Sequence, residues 1–299
     1  MSTVGLIGLG AMGSGMAKSL RRAGHAVHVY DLRREAAQAF AAEGGVACTS
    51  PAELAGACQV VISVVVNAAQ TEALLFGEAG CAAHMQPGSV FVMCSTVDPN
   101  WSVALEARLQ AMGLHYLDAP ISGGAAKAAS GQMTMMTAGR AEAYALADPF
   151  LHAMAAKVYR LGDRAGAGSK VKIINQLLAG VHIAAAAGAM ALGLREGVDA
   201  AALYEVITHS AGNSWMFENS MAHVLAADYT PLSAVDIFVK DLGIVLDVAR
   251  ASKFPLPLSS TAHQMFMQAS TAGYAREDDS AVIKIFPGID LPQAPAKAD

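Results

Sequence analysis

The chain has 299 residues, of which 54% are hydrophobic and 15% are charged, so much of it must be buried. This composition excludes an intrinsically disordered chain, and the length predicts two domains or one large one. The net charge of −5 gives no basis for an electrostatic surface that binds nucleic acid or an anionic membrane.

The four cysteines, Cys48, Cys58, Cys81 and Cys94, show no CxxC spacing. We therefore expect buried, reduced thiols, with no metal site and no disulfide framework. The N-terminus enters an apolar strand pattern at once and has no basic leader, so we expect no signal peptide and a cytoplasmic protein.

The first half of the chain alternates strand patterns with helical stretches. Several strand runs are continuously apolar, which is typical of a sheet that is covered on both faces. The alternation predicts an α/β fold with a doubly wound, mostly parallel sheet. The predicted strands are residues 3–7, 26–30, 60–66, 89–94, 115–118, 133–137 and 157–161. The predicted helices between them are residues 13–23, 51–58, 69–76, 99–112 and 141–155, with Ser50 as an N-cap before Pro51.

After Gly162 the alternation stops, and helix-forming residues continue to about residue 272. A single helix over residues 169–195 would be roughly 40 Å long. We place a domain boundary near residue 164. Residues 1–164 then form the first domain, residues 165–290 an all-helical domain, and residues 291–299 a flexible tail.

Residues 173–194 contain no Asp, Glu, Lys or Arg, and a stretch of this length is long enough to span a bilayer. They are mostly Ala and Gly around His182, with few of the large aliphatic side chains that drive insertion. We therefore predict a buried helix at a domain or subunit interface and no membrane partner.

Residues 8–13 have the sequence GLGAMG, after an apolar strand and before a helix, which is the setting of a dinucleotide-binding turn. Gly8 permits the tight turn, Gly10 lets the backbone approach a pyrophosphate, and Gly13 lets the helix pack on the strand. Ala11 and Met12 belong to the first turn of that helix, whose N-terminus favours a bound anion. The motif predicts a bound dinucleotide, and a glycine-rich turn without a ligand is the alternative.

The second strand pattern is followed by Asp31, 18 residues after Gly13. A carboxylate there accepts hydrogen bonds from the ribose hydroxyls of NAD and repels the 2′-phosphate of NADP. Arg33 and Arg34 are close enough to hold a phosphate, which leaves NADP open, although a solvated helix start is the simpler interpretation of both. The predicted cofactor is NAD.

Residues 118–124 have the sequence DAPISGG. In the turn formed by Ser122, Gly123 and Gly124, backbone N–H groups and a hydroxyl are presented to a small anion such as a carboxylate. An ordinary turn is the alternative interpretation of the same residues.

Residues 166–176 have the sequence GAGSKVKIINQ. On a helix, Lys172, Asn175 and Gln176 project from one face, because they are spaced i, i+3 and i, i+4. Lys172 is followed by 22 residues without a charge, which predicts a poorly hydrated environment. Burial lowers the pKa of a lysine amine and so favours general acid–base chemistry near neutral pH. From periodicity alone, a lysine that extends from a helix start to solvent is the alternative.

Taken together, these motifs resemble the β-hydroxyacid dehydrogenases, the relatives of 3-hydroxyisobutyrate and 6-phosphogluconate dehydrogenases. The resemblance rests on residues 8–13, 118–124, 166–176 and 239–241 (VKD), in the order and spacing of the family. It implies a Rossmann domain followed by an all-helical domain. A narrower resemblance, to the L-threonate dehydrogenase branch, covers residues 209–219, 236–242, 254–258 and 277–286.

The resemblance also implies roles for particular residues. The lysine that matches Lys172 is the catalytic acid/base, and the asparagine that matches Asn175 contacts the substrate. The turn at Ser122 holds the substrate carboxylate, and we add Gln176 to the substrate-binding residues. The further cofactor contacts are Val65, Val66, Thr96 and Lys240.

The sequence therefore predicts an NAD-dependent oxidoreductase for a small hydroxy acid, with oxidation of L-threonate to its 2-oxo acid as the favoured reaction. A 3-hydroxyisobutyrate dehydrogenase and an enzyme of the tartronate-semialdehyde/glycerate type remain open, as does a non-catalytic dinucleotide-binding protein. We expect a homodimer or a homotetramer, since the small residues of the uncharged helix permit close helix approach.

Overall fold

The structure is a computed structural model that describes residues 2–293, so the predicted flexible tail lies outside the described residues from residue 294 onward. The chain forms two compact units, and the division falls between Lys172 and Ile173.

The first unit is built on one mixed sheet. Its described strands are β1 (Thr3–Ile7), β2 (Ala26–Tyr30), β3 (Val46–Ala47), β4 (Val60–Ser63), β5 (Val90–Met93), β6 (His115–Asp118), β7 (Ile121–Ser122), β8 (Met133–Gly139) and β9 (Ala155–Arg160). Their spatial order is β3-β2-β1-β4-β5-β6-β8-β7, and β9 pairs with β8. Neighbouring strands from β3 to β6 are parallel, β8 is antiparallel to β6 and β7, and β9 is parallel to β8. This is the predicted Rossmann sheet.

Helices cover both faces of the sheet. They are α1 (Ala11–Arg22), α2 (Arg34–Ala42), α3 (Pro51–Ala57), α4 (Ala68–Phe76), α5 (Pro99–Ala111), α6 (Gly124–Ser130) and α7 (Ala141–Met154). In β5, Val90 and Val92 pack in one core with α1 and α7, whereas Phe91 and Met93 pack in the other core with α3, α4 and α5. Successive strand residues point to opposite faces, so two buried faces require the continuously apolar runs that the sequence shows.

The long helix α8 (Ala167–Arg195) begins in the first unit and continues into the second. The other helices of the second unit are α9 (Ala200–Thr208), α10 (Trp215–Ala226), α11 (Val235–Ala251) and α12 (Pro257–Ala269), followed by a π-helical turn (Ser270–Tyr274) and a 3-10 helix (Asp279–Ile285). Their common core contains Ile183, Met221, Leu242 and Phe266. The described part of this unit is helical, as predicted.

Helix α8 is long and apolar enough to cross a membrane by length and composition alone. Its residues Ile183, Ala187 and Met190 are nevertheless fully buried in the helical core of the second unit. A helix that is apolar over most of its circumference is typical of a protein core as well as of a membrane span. The prediction of a buried helix is confirmed for this face of α8.

A buried acidic pair lies in the second unit. Asp279 follows Asp278, and its Oδ1 accepts a hydrogen bond from the hydroxyl of Ser220 at 3.1 Å. Burial, followed by repulsion from Asp278, raises the pKa of Asp279 to about 8. Between about pH 4 and pH 8 the folded chain keeps this proton, whereas the unfolded chain has released it. The contribution of Asp279 to the free energy of unfolding is therefore fully present below about pH 4 and is lost as pH rises to about 8.

We expect Asp279→Asn to reduce this pH dependence, because the amide keeps the size of the carboxyl but does not ionise. At about pH 9 the variant should be more stable than the wild type by on the order of a few kcal/mol, and the difference should shrink towards pH 4. Denaturant unfolding at both pH values measures it. The exposed Asp247, replaced by Asn, serves as the control. Equal pH dependence of the wild type and Asp279→Asn would contradict the assignment.

Candidate active site

The turn between β1 and α1 forms an open cradle. Gly8 has φ of +100°, and a Cβ there would lie 2.5 Å from the carbonyl oxygen of Val64. A Cβ at Gly13 would lie 1.8 Å from the carbonyl oxygen of Gly8, so the helix packs on the strand only with glycine at this position. At Gly10, by contrast, a Cβ would meet no atom within 4 Å. The space beside Gly10 is therefore open to a ligand.

The N-terminus of α1 begins directly after Gly10. The first N–H groups of a helix have no partner inside the helix, and the helix dipole favours negative charge there. In α1 no side chain caps these groups, and the first turn contains no acidic residue. The turn therefore fits the pyrophosphate of a dinucleotide, as the sequence predicts.

Asp31, which follows β2, holds the glycine-rich turn. Its Oδ2 accepts a hydrogen bond from the N–H of Leu9 at 2.6 Å, and its Oδ1 accepts one from the N–H of Arg33 at 2.8 Å. Partial burial raises the pKa of Asp31, but these hydrogen bonds and the charge of Arg33 outweigh burial and lower the pKa below its ordinary value. The ionised carboxylate is the form that accepts hydrogen bonds from ribose hydroxyls.

The guanidinium of Arg33 lies on the same turn. Its Nη2 donates to the carbonyl oxygen of Leu9 at 3.0 Å, and its Nε lies 3.3 Å from Oδ1 of Asp31. Arg33 is the N-cap residue of α2 and Arg34 its first residue, so the prediction of a helix start is confirmed. The structure adds that Arg33 is paired with the carboxylate that reads the ribose in related folds.

We expect Asp31→Ala to weaken NAD binding and to shift cofactor preference towards NADP by about 10- to 100-fold. The variant removes the repulsion of the 2′-phosphate and leaves the guanidinium of Arg33 without its carboxylate partner. Fluorescence titration with NADH and NADPH gives both dissociation constants. In the double variant Asp31→Ala/Arg33→Ala, the shift in preference towards NADPH should be lost. An unchanged ratio in Asp31→Ala would show that Asp31 does not read the ribose.

The other predicted cofactor residues of the first unit follow the carboxyl ends of neighbouring strands. Val65 and Val66 follow β4, and Thr96 follows β5. The hydroxyl of Ser95 donates to the carbonyl oxygen of Val65 at 2.6 Å and so joins the two loops. The chain order of the strands reverses between β1 and β4, which is where doubly wound sheets bind ligands.

The turn predicted to hold a carboxylate lies between β7 and α6. Ser122 ends β7, and Gly123 and Gly124 have φ of +130° and +74°. A Cβ at Gly123 would also lie 2.9 Å from Cδ of Lys127. The backbone conformation of this turn therefore depends on its glycines.

A buried carboxylate fixes the start of α8. Asp118, the last residue of β6, accepts hydrogen bonds through Oδ2 from the N–H groups of Gly166 at 2.8 Å and Ser169 at 2.9 Å. Its Oδ1 accepts a hydrogen bond from Oγ of Ser169 at 2.7 Å. Burial raises the pKa of Asp118, although these hydrogen bonds act to lower it. The start of α8 is thus tied to the carboxyl edge of the sheet that also carries the glycine-rich turn.

Lys172 lies on α8 one turn beyond Ser169 and is only 7% exposed. Lys170, two residues earlier, is exposed. The prediction that Lys172 is withdrawn from water is confirmed.

In the second unit, Asn175 and Gln176 form a polar network with α11. Nδ2 of Asn175 donates to Oε1 of Gln176 at 3.0 Å, and Nε2 of Gln176 donates to Oδ2 of Asp241 at 2.6 Å. Nζ of Lys240 lies 2.7 Å from Oδ1 of Asp241. Three residues predicted to bind ligands are therefore connected through Asp241.

Sequence reasoning assigned no role to Asp118 or Asp241. Asp118 belongs to the motif at residues 118–124 and Asp241 to the motif at residues 239–241, and both are almost fully buried, at 0% and 1% exposed. A buried carboxylate needs hydrogen-bond donors or a counter-charge. An acidic residue within an apolar segment of the sequence is therefore the signal by which Asp118 and Asp241 could have been predicted to have a structural role.

The four cysteines are buried free thiols, as predicted. Burial raises the pKa of Cys58, Cys81 and Cys94 to about 12, and that of Cys48 to about 11, which keeps these thiols protonated and unreactive. Within residues 2–293, no three His, Cys, Asp or Glu side chains form a group that could hold a metal ion.

Two family models match adjoining parts of the chain. The NAD binding domain of 6-phosphogluconate dehydrogenase matches residues 3–162. The NAD-binding domain of NADP-dependent 3-hydroxyisobutyrate dehydrogenase matches residues 166–286. The chain belongs to the β-hydroxyacid dehydrogenase family.

Relatives in this family match over nearly the whole chain. L-threonate dehydrogenase of Cupriavidus necator is 71% identical, and that of Escherichia coli K12 is 52% identical, each over 97% of both chains. The crystal structure of a 3-hydroxyisobutyrate dehydrogenase from Salmonella typhimurium has 54% identity and a TM-score of 0.92, over 96% of this chain and 100% of that one. The predicted enzyme class, an NAD-dependent hydroxyacid dehydrogenase, and the predicted fold are confirmed.

Proposed function

We propose that this β-hydroxyacid dehydrogenase oxidises L-threonate at C2 and forms the 2-oxo acid. The observation that carries the proposal is the 71% identity to the L-threonate dehydrogenase of Cupriavidus necator over 97% of both chains. The family membership supplies the reaction class, and this identity favours the substrate.

In the proposed reaction, the amine of Lys172 takes the proton of the substrate hydroxyl. Its burial on α8 supports this role, because a poorly hydrated amine is a better base at neutral pH than a lysine in bulk water. The turn from Ser122 to Gly124 binds the substrate carboxylate, and Asn175 orients the carbinol oxygen. Bound NAD supplies the hydride acceptor. These groups hold the alcohol in a fixed position, so hydride and proton transfer no longer depend on a random encounter of the reactants.

The same proposal includes the remaining ligand contacts and the roles of the two domains. Residues 1–164 form the NAD-binding domain and also supply the turn for the substrate carboxylate, and residues 165–290 form the domain for substrate and subunit contacts and also supply Lys240. The protein acts in the cytoplasm, without nucleic acid or membrane as a partner. The cofactor contacts are Gly8, Gly10, Ala11, Met12, Gly13, Asp31, Val65, Val66, Thr96 and Lys240, and Gln176 joins the substrate contacts.

A second substrate, 3-hydroxyisobutyrate, is favoured by the likeness to the Salmonella structure of that description. A panel of L-threonate, its stereoisomers, 3-hydroxyisobutyrate and glycerate, followed by NADH absorbance, separates the candidates. We expect L-threonate to give the highest kcat/KM. A higher value for 3-hydroxyisobutyrate would replace the proposed substrate, and no NADH with any hydroxy acid would indicate a non-catalytic dinucleotide-binding protein.

We also propose that the chain assembles as a homodimer or homotetramer through the exposed face of α8. Ile174, Leu178 and Leu192 are 59%, 51% and 63% exposed on this helix, in a stretch that contains no charge between residues 173 and 194. Monomeric proteins rarely expose apolar surface over such a length.

We expect Leu178→Lys combined with Leu192→Lys to lower the mass of the assembly, because it places charges on this apolar face. Size-exclusion chromatography with light scattering measures the mass. Val46→Lys, at a position of the short strand β3 that is 46% exposed, is the matched control and should leave the mass unchanged. A monomeric wild type would contradict the proposal.

A further inference from the structure

The amide groups of Asn175 and Gln176 are oriented by the carboxylate of Asp241. An ionised carboxylate only accepts hydrogen bonds, so the Gln176 atom that lies 2.6 Å from Oδ2 of Asp241 must be the nitrogen Nε2. The carbonyl oxygen of Gln176 then has to accept, and it does so from Nδ2 of Asn175 at 3.0 Å. The carbonyl oxygen of Asn175 is therefore on the side of its amide group that faces away from Gln176.

The surroundings stabilise this arrangement. Asp241 is 1% exposed and Gln176 is 8% exposed, so bulk water does not substitute for either partner. Lys240 supplies the counter-charge, with Nζ 2.7 Å from Oδ1 of Asp241. Turning the amide of Gln176 over would set two oxygens against each other in a poorly hydrated environment, where such a mismatch is costly.

We infer that Asp241 is a positioning residue which, through Gln176, makes the carbonyl oxygen of Asn175 a hydrogen-bond acceptor for a second substrate hydroxyl, distinct from the carbinol that gives its proton to Lys172. The identity of the substrate rests on the proposed function, and the inference adds the chemistry of one subsite. A polyhydroxy acid satisfies a fixed acceptor with a hydroxyl. A substrate with a methyl group at that place leaves the buried acceptor without a hydrogen bond. This loss discriminates between substrates more strongly than a difference in apolar contact does.

Exchanging the amide of Gln176 and the carboxylate of Asp241 tests the inference. Asp241→Asn allows Gln176 to turn over, and Gln176→Glu sets two carboxylates against each other. In the double variant Asp241→Asn/Gln176→Glu, the new amide donates to the new carboxylate, which again accepts from Nδ2 of Asn175. The orientation of Asn175 is thus restored with the two groups exchanged.

The readout is the ratio of kcat/KM for L-threonate to kcat/KM for 3-hydroxyisobutyrate, with the dissociation constant of NADH and the melting temperature measured on the same proteins. We expect each single variant to lower the ratio by about tenfold, a loss of about 1.4 kcal/mol in discrimination, and the double variant to restore most of it. The affinity for NADH shows any effect that passes through Lys240, a proposed cofactor contact that Asp241 also touches, and it should stay unchanged in the control. The control is Asp247→Asn, an exposed position on the same helix.

If a single variant does not fold, Gln176→Met removes the link while the contact between Lys240 and Asp241 remains, and it should lower the ratio in the same way. An unchanged ratio in the single variants, or a double variant no better than the poorer single one, would overturn the inference. A wild type that is inactive on L-threonate but active on another polyhydroxy acid would overturn the proposed substrate instead, and the exchange is then scored on that acid.

Discussion

Replacing Lys172 by Met is expected to lower kcat with the preferred hydroxy acid by about 10²- to 10⁴-fold, the usual contribution of a positioned general base. The substitution keeps a long apolar side chain in a buried position and removes only the amine. The affinity for NADH should not change, because the predicted cofactor contacts lie elsewhere. Steady-state kinetics and NADH fluorescence titration measure the two effects.

Lys170→Met is the control for this prediction. Lys170 lies on the same helix two residues earlier and is exposed, so its substitution should leave kcat unchanged. If Lys172→Met retained more than about a tenth of the wild-type kcat, the amine would have no part in proton transfer, and Lys172 would be a lysine that only packs its stem.

Gly10→Ala is expected to fold normally and to weaken NADH binding by at least about tenfold, or about 1.4 kcal/mol. Gly10 has φ of −69°, which alanine adopts freely, and its added methyl group would meet no protein atom within 4 Å. The methyl group would instead occupy the space proposed for the pyrophosphate. The melting temperature and the dissociation constant of NADH separate the two effects.

Two other glycines provide controls. Gly56→Ala also meets no atom within 4 Å, but it lies on α3, so it should leave NADH binding unchanged. Gly13→Ala would place Cβ 1.8 Å from the carbonyl oxygen of Gly8 and should lower the melting temperature. Wild-type NADH affinity in Gly10→Ala would mean that the pyrophosphate does not bind at this turn.

The central strands could be predicted from the sequence because both faces of the sheet are buried. The predicted bounds of β1, β2 and β6 match those in the structure. The strands β3 and β7 lie outside the predictions because each has two residues, too few to show a period. Helices α2 and α6 were also not predicted; α2 buries only Ala37 and Phe40, and α6 begins within the glycine turn.

The glycine-rich turn could be predicted because its residues are adjacent in the sequence and each glycine has a local steric reason. The residues that hold the predicted site residues in place could not be predicted. Asp118 holds Ser169 across 51 positions, and Gln176 meets Asp241 across 65 positions. A hydrogen bond between such distant residues leaves no local pattern. The motifs predict which residues react, and the structure shows which other residues hold those residues in place.

The most direct measurement of the proposed reaction follows the hydrogen at C2 of L-threonate. The purified enzyme is given NAD and L-threonate deuterated at C2, and the reduced cofactor is analysed by mass spectrometry. We expect the deuterium to appear in the NADH and the 2-oxo acid to form in equal amount. NADH without the label, formed from the deuterated acid, would contradict oxidation at C2.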